Sequence, residues 1–306
     1  MRIGITLPDP QGPDAFAMLR ESLARAADDG LASAWLSNIF HLDALTAVAV
    51  VGGQVPGIEL GTAVVPTYPR HPVALAQQAL TAALAIGGRL TLGIGLSHKI
   101  VIEDMLGYSF ERPVRHMTEY LSALVPLLAG EAVDVKGETL RAAARLSTPR
   151  VGPVPVLVAA LGPAMLRLAG GQADGTVLWM TGPATVRDHV VPTIRDAAAA
   201  AGRPDPRVVA CLPVCVTDDP AAAHARAAEA FAVYGNLPSY RAMLDREGAA
   251  GPADVAIIGD EDAVAARIAA VAAAGATDFV ASAFAAAGTP DERRTRALLS
   301  ALAQAG

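Results

Sequence analysis

Three stretches of this chain place residues able to do chemistry where the backbone changes direction. Gly93-Ile94-Gly95-Leu96-Ser97-His98 ends an apolar run with two glycines and then two polar side chains. The glycines thin the backbone so that a ligand can lie against it, and the His98 imidazole can move a proton near neutral pH. A histidine that only shapes its loop is the competing reading. Asn38 follows the short apolar segment Ser33 to Leu36; its amide can donate to or accept from a ring heteroatom, and asparagine equally forms turns. Gly162-Pro163 opens a helical pattern after Pro155 to Ala160. Glycine lets an anion reach the backbone, proline presets the first turn, and the free N–H groups favour negative charge. Gly182-Pro183 shows that the same pair also merely starts helices. Tyr68, Trp179 and Met180, beside other apolar segments, are candidate walls of a substrate pocket. Arg112, Arg115 and His116 could receive an anionic tail or form a solvated helix face.

Such residues, up to 120 or more positions apart, meet only if the scaffold gathers its turns at one end. Leu60 to His98 is one complete strand-helix-strand unit: strand Glu59 to Val64, a Pro-bounded turn, helix Val73 to Ile86 and strand Leu90 to Gly95. His71 in that turn reads as a feature of loop shape. The same alternation runs through the chain. Strands are predicted at Arg2 to Leu7, Ser33 to Leu36, Pro155 to Ala160, Thr176 to Met180, Val208 to Val216 and Asp278 to Ser282. Helices fall between them, with caps at Asp43, Asp219 and Thr289. Ala132 to Leu140 reads as a small hairpin, and Pro238 to Glu247 as an additional helix. Eight strands alternating with helices give a (β/α)8 TIM barrel, an α/β fold with a small hairpin insertion and extra helices. An open doubly wound sheet is the alternative, but no G-x-G-x-x-G follows the first strand. One domain over residues 1–306 is expected, with any ligand at the C-terminal strand ends.

Composition sets the outer limits. The 306 residues are 53% apolar, enough for a large core, and no long apolar run reads as a membrane span or signal peptide. A cytoplasmic location is expected. Net charge is -6, with Lys99 and Lys136 the only lysines, which argues against a nucleic-acid partner. Cys211 and Cys215 lie four apart in one predicted strand, about 13 Å, too far for a disulfide. No Cys and His cluster has zinc-like spacing, so no metal is expected.

The strand ends carry a resemblance. Leu60-Gly61-Thr62-Ala63-Val64-Val65-Pro66 with His71-Pro72, Gly88-Arg89-Leu90-Thr91-Leu92-Gly93-Ile94-Gly95, and Ala159-Ala160-Leu161-Gly162-Pro163 followed by Ala173-Asp174-Gly175 come in a distinctive order and spacing. The chain resembles the luciferase-like flavin and deazaflavin oxidoreductases over nearly its whole length. It most resembles their coenzyme F420-dependent branch, with methylene-tetrahydromethanopterin reductases and glucose-6-phosphate dehydrogenases. The resemblance implies a non-prolyl cis peptide between Ala63 and Val64 beneath the cofactor ring. It implies cofactor contacts from Asn38, Ala63, Val64, Leu96, Ser97, Ala159, Ala160, Leu161, Gly162 and Pro163, with the cofactor phosphate at Gly162-Pro163. It also implies a homodimer.

Two departures bear on the reaction. Where the sugar-phosphate branch carries an aspartate followed by histidine, this chain has Asn38-Ile39, and that branch's glutamate aligns with His98. The acid and base for oxidising a sugar hydroxyl are therefore missing, and glucose-6-phosphate dehydrogenase activity is not expected. The implied reaction is hydride transfer between deazaflavin C5 and a small organic substrate, reducing an activated C=C or C=N bond, with His98 delivering the proton and Asn38 beside the ring. An FMN-dependent monooxygenase on the same scaffold, a phosphate-binding aldolase or isomerase barrel, and a deazaflavin-binding protein without turnover remain as alternatives. The second of these, the aldolase or isomerase barrel, needs a catalytic lysine or carboxylate at a strand end, for which Lys99 and Lys136 are poorly placed.

Overall fold

In the computed structural model, which describes residues 1–305, eight parallel strands close into a barrel. They are β1 (Arg2–Thr6), β2 (Ser33–Leu36), β3 (Glu59–Thr62), β4 (Leu90–Gly95), β5 (Val156–Val158), β6 (Gly175–Trp179), β7 (Arg207–Val216) and β8 (Asp278–Ala283). Each pairs with the next, and β8 pairs with β1 to complete the ring, Arg2 opposite Asp278. Helices return the chain between strands, giving the predicted (β/α)8 architecture.

Local chemistry sets the helix starts. Asp43 accepts from Thr46 N (2.9 Å) ahead of helix Ala44–Gly52, and Asp219 accepts from Ala222 N (3.0 Å) ahead of Pro220–Ala230. Thr289 Oγ1 accepts from Glu292 N (3.3 Å) at the last helix. His71 does more than shape its loop. Its Nδ1 accepts from Val73 N (3.3 Å), capping helix Pro72–Ala85, while its Nε2 donates to the Arg141 carbonyl (2.7 Å) and ties that helix to the hairpin.

Several elements differ from the sequence expectation; the strand expected at Pro155 to Ala160 spans only Val156–Val158. β3 stops at Thr62, two residues early; the Ala63-Val64 peptide is cis, as the resemblance implies, and Val65–Pro66 then resumes pairing with β4. The hairpin is shifted: Val133–Lys136 pairs with Arg141–Ala144, leaving 137–140 as its turn. A short strand, Ile257–Gly259, was not expected; it extends the sheet beside the end of β7. At three residues it is too short to show a period.

The barrel interior is layered. At the N-terminal end Arg207 donates to Asp278 (2.7 Å), Glu59 (3.0 Å) and Thr91 (3.2 Å), and Arg2 reaches the same two carboxylates. Above lies an apolar layer of Trp35, Leu157, Val177, Val209, Cys211 and Val280. Trp35 fits because Gly61 faces it: a Cβ there would enter the indole ring. Cys211 and Cys215 are buried free thiols. The larger core lies outside, between strands and helices.

Candidate active site

The layer over Trp35 is built from Ala63, Val64, Ala159 and Trp179, which come from the ends of β3, β5 and β6. Hydrogen bonding fixes these ends. Thr62 Oγ1 donates to the Gly93 carbonyl (2.8 Å) and accepts from Gly93 N (2.9 Å), Ala63 N donates to the Leu36 carbonyl (2.7 Å), and Ala159 N donates to the Ile94 carbonyl (2.8 Å). The glycines of β4 serve this arrangement and not a ligand directly. A Cβ on Gly93 would strike the Thr62 carbonyl, and one on Gly95 would lie 2.6 Å from Val64 Cγ2. They make room for the end of β3, so Val64 itself forms the floor on which a planar ligand can rest.

Two non-glycine residues just past strand ends adopt left-handed backbone, Ser97 (φ 61°) after β4 and Met180 (φ 52°) after β6. Such conformations cost about 1–3 kcal/mol and collect at ligand sites. The Met180 side chain corrects its expected place as a pocket wall: it is wholly buried in the outer core. Ala160 is likewise turned into the outer core, because neighbours on a strand face opposite ways, whereas Ala159 faces the mouth. Leu96 and Leu161 are half-buried and pack against the same outer core.

Asn38 is half-buried, and its Oδ1 accepts from Ala44 N (2.9 Å). This is the turn-forming role, and it leaves the NH2 as the group Asn38 can offer a ligand. His98 is also half-buried; its carbonyl accepts from Val101 N and Ile102 N at the start of the π-helical segment Ile100–Met105. Burial lowers its imidazole pKa from the ordinary 6.5, so the neutral ring prevails at pH 7.

Tyr68 is held by stacking on His116 (centroids 4.0 Å) and Phe110 (5.4 Å), yet its buried hydroxyl has no hydrogen-bond partner, and burial followed by the Glu103 charge pushes its pKa up to about 12. His116 is not on a solvated face. It lies beneath Tyr68 with Nε2 3.0 Å from Thr67 Oγ1, and burial lowers its pKa to about 4. Arg112 and Arg115 both pair with Glu138 outside the mouth.

The buried His116 carries a pH signature. Between its unfolded value of 6.5 and its folded value of about 4, the unfolded chain binds the extra proton, so stability falls as pH falls through this window. The expected loss attributable to His116 is up to about 1.4 kcal/mol per pH unit. Denaturant midpoints at pH 6.5 and 5 should therefore fall further for the wild type than for His116→Gln, which keeps a hydrogen-bonding side chain and cannot titrate. Parallel declines would contradict it.

At Gly162-Pro163 the chain passes from β5 into helix Pro163–Gln172 with Gly162 as N-cap and no side-chain cap. A Cβ on Gly162 would meet nothing within 4 Å, and Gly162, Pro163 and Ala164 are exposed. The first-turn N–H groups therefore face open space suited to an anion. His189, without a readable partner in the sequence, donates from Nε2 to the Leu161 carbonyl (2.8 Å) and anchors this turn.

The loop Phe231 to Gly251 is readable from the sequence as one that chooses the substrate, but the aromatic wall it carries is not. Residues 231–247 bring Phe231, Tyr234 and Tyr240 over the mouth. Trp179 lies 5.8 Å edge-on from both Phe231 and Tyr234, and Tyr240 lies 5.9 Å from His98. Aromatic residues are only 4% of the chain, so three within ten positions were the signal. Among the described residues no helix is long and apolar enough to cross a membrane.

Comparison with known proteins agrees with this architecture. A sequence model described as luciferase-like monooxygenase matches residues 1–306. The 5,10-methylenetetrahydromethanopterin reductase of Methanolobus tindarius is 30% identical over 278 residues, spanning 89% of this chain and 82% of the relative. Among solved structures, the coenzyme F420-dependent tetrahydromethanopterin reductase of Methanopyrus kandleri superposes with a TM-score of 0.81 at 22% identity, covering 98% of this chain and 97% of that one. The oxygenating constituent of 3,6-diketocamphane monooxygenase of Pseudomonas putida, in complex with FMN, superposes with a TM-score of 0.77 at 18% identity, covering 98% and 97%. By these matches, and with its closed barrel, the chain belongs to the luciferase-like family and is an oxidoreductase.

Proposed function

We propose that this oxidoreductase uses coenzyme F420 and reduces an activated C=C or C=N bond of a small organic substrate. The observation that carries the reading is the pairing of two features across one mouth. Val64, Ala63 and Ala159 give a flat, small-residue floor, and the Gly162 turn gives an open anion cradle beside it. The orphaned Tyr68 hydroxyl is a further donor in search of an acceptor. These residues fit a planar cofactor with a phosphate tail, and the Methanolobus relative is a reductase by name.

When bound, the reduced deazaflavin supplies a hydride from C5. The residues of this chain do the rest. Val64 and Ala63 support the ring, the first turn at Pro163 holds the phosphate, and the Asn38 NH2 donates to a ring acceptor. His98 supplies the proton that balances the hydride, as imidazolium or through water. The reductive direction rests on the likeness to the Methanolobus reductase; in the oxidative direction the neutral His98 ring would be the proton acceptor.

This assignment has a pH consequence. The imidazolium is the proton-donating form and its pKa lies below 6.5. Turnover in the reductive direction is therefore expected to rise as pH falls through that lowered value, and His98→Gln should lose this limb of the profile. A wild-type rate that stays flat below pH 6.5 would remove His98 from proton delivery. The function itself is tested by following oxidation of reduced F420 with candidate imines and enoates. Turnover that disappears in an Asn38→Ala/His98→Gln double variant supports an enzyme over a cofactor-binding protein without turnover.

A further inference from the structure

Opposite the cofactor cradle, the mouth is walled by aromatic rings from a segment the barrel itself does not require. Trp179 meets Phe231 and Tyr234 edge-on at 5.8 Å, Phe231 meets Phe284 at 5.9 Å, and Tyr240 stands between Tyr234 (5.1 Å) and His98 (5.9 Å). The Trp179 Nε1 is buried and lacks a partner. The Tyr234 hydroxyl stands close enough to feel the indole N–H, but no acceptor meets it with hydrogen-bond geometry. An indole N–H can only donate.

Charged neighbours of this wall are occupied elsewhere. Arg241 binds Asp245 (2.8 Å) and the carbonyls of Ala249 and Ala250, and Glu247 accepts from Ala184 N (3.1 Å) and Thr185 N (2.7 Å). Lys99 faces Glu103 (3.5 Å). A carboxylate or phosphate on the substrate would lose water here and meet no uncommitted cation besides His98, whose ring is mostly neutral at pH 7, which is costly. A neutral carbonyl would find a waiting donor.

We propose that this pocket takes an uncharged ring compound bearing one carbonyl, its oxygen accepting the Trp179 Nε1–H and its ring packed against Tyr234 and Tyr240. The inference rests on the reading of the mouth as a reductase site, since a carbonyl conjugated to C=C activates that bond for hydride. It adds the substrate class, and it identifies Trp179 as the donor that selects it.

The test is binding, independent of turnover. Calorimetric titrations use 2-cyclohexen-1-one, cyclohexene, and the carboxylate-bearing 3-oxocyclohex-1-ene-1-carboxylate, with and without saturating F420. The ketone is expected to bind at least about tenfold more tightly than either other compound. Trp179→Phe, which keeps the aromatic wall and removes the N–H, is expected to erase the preference for ketone over cyclohexene. The wild-type comparison stands even if that variant fails to fold. Equal or tighter binding of the carboxylate, no ketone binding under either condition, or an undiminished preference in folded Trp179→Phe overturns the proposal. F420 binding with the wrong ligand preference overturns this inference alone, whereas ketone selectivity without F420 binding overturns the cofactor reading alone.

Discussion

Replacing Arg207 with methionine is expected to destabilise the protein by about 3 kcal/mol or more. Arg207 bonds to Asp278 at 2.7 Å and to Glu59 at 3.0 Å, with the Asp278 side chain only 2% exposed. Methionine preserves much of the volume, but it leaves two carboxylates facing each other with only the half-exposed Arg2 to offset them. Breaking such a pair from one side costs far more than the pair contributes when intact, because a buried charge is left uncompensated. A denaturant midpoint that falls with an unchanged m value at pH 7 checks this, and a loss below about 1 kcal/mol would contradict it. The pH dependence has a defined sign. Burial opposes ionisation of Glu59, but Arg207 and Arg2 outweigh it and hold its carboxyl below the ordinary 4.5. Its stabilising contribution is therefore present above pH 4.5 and lost as pH falls through the folded value, so the wild type and Arg207→Met should converge in acid.

Gly162→Asp is expected to separate cofactor binding from folding. Gly162 is the N-cap of helix Pro163–Gln172 with φ -76°, a conformation any residue adopts, and an added Cβ meets nothing within 4 Å. Aspartate is among the best N-cap residues, so the melting temperature should hold or rise slightly. The new carboxylate would occupy and repel the anion that the proposed function puts at this turn. F420 affinity should fall at least about tenfold, which corresponds to about 1.4 kcal/mol. A deazaflavin without the phosphate should bind both proteins alike. Unchanged F420 affinity would place the phosphate elsewhere.

These two sites also show what the sequence could reveal. The Gly162 turn was legible because its chemistry is local: glycine, proline and the helix behind them are adjacent. So were the caps at Asp43, Asp219 and Thr289, and the strand-helix alternation that gives the barrel. The Arg207 cluster was not legible, since Arg207 and Glu59 are 148 positions apart and meet only when the barrel closes. At Gly93 and Gly95 the missing side chains are legible, but their spacing cannot say that the neighbour is Thr62 and Val64 and not a ligand. His116 looked like one of a basic trio because helix position was visible and the facing Tyr68 was not. Tyr240 is not legible as a site residue because nothing in its short helix, Pro238–Glu247, announces which strand end it covers.

The most direct test of the account is a titration of the purified protein with F420 and, separately, with FMN, followed by absorbance and fluorescence. Saturable binding of F420, tighter than that of FMN and weakened by Gly162→Asp, is the predicted result. Tight binding of FMN without F420, or of neither, would contradict it.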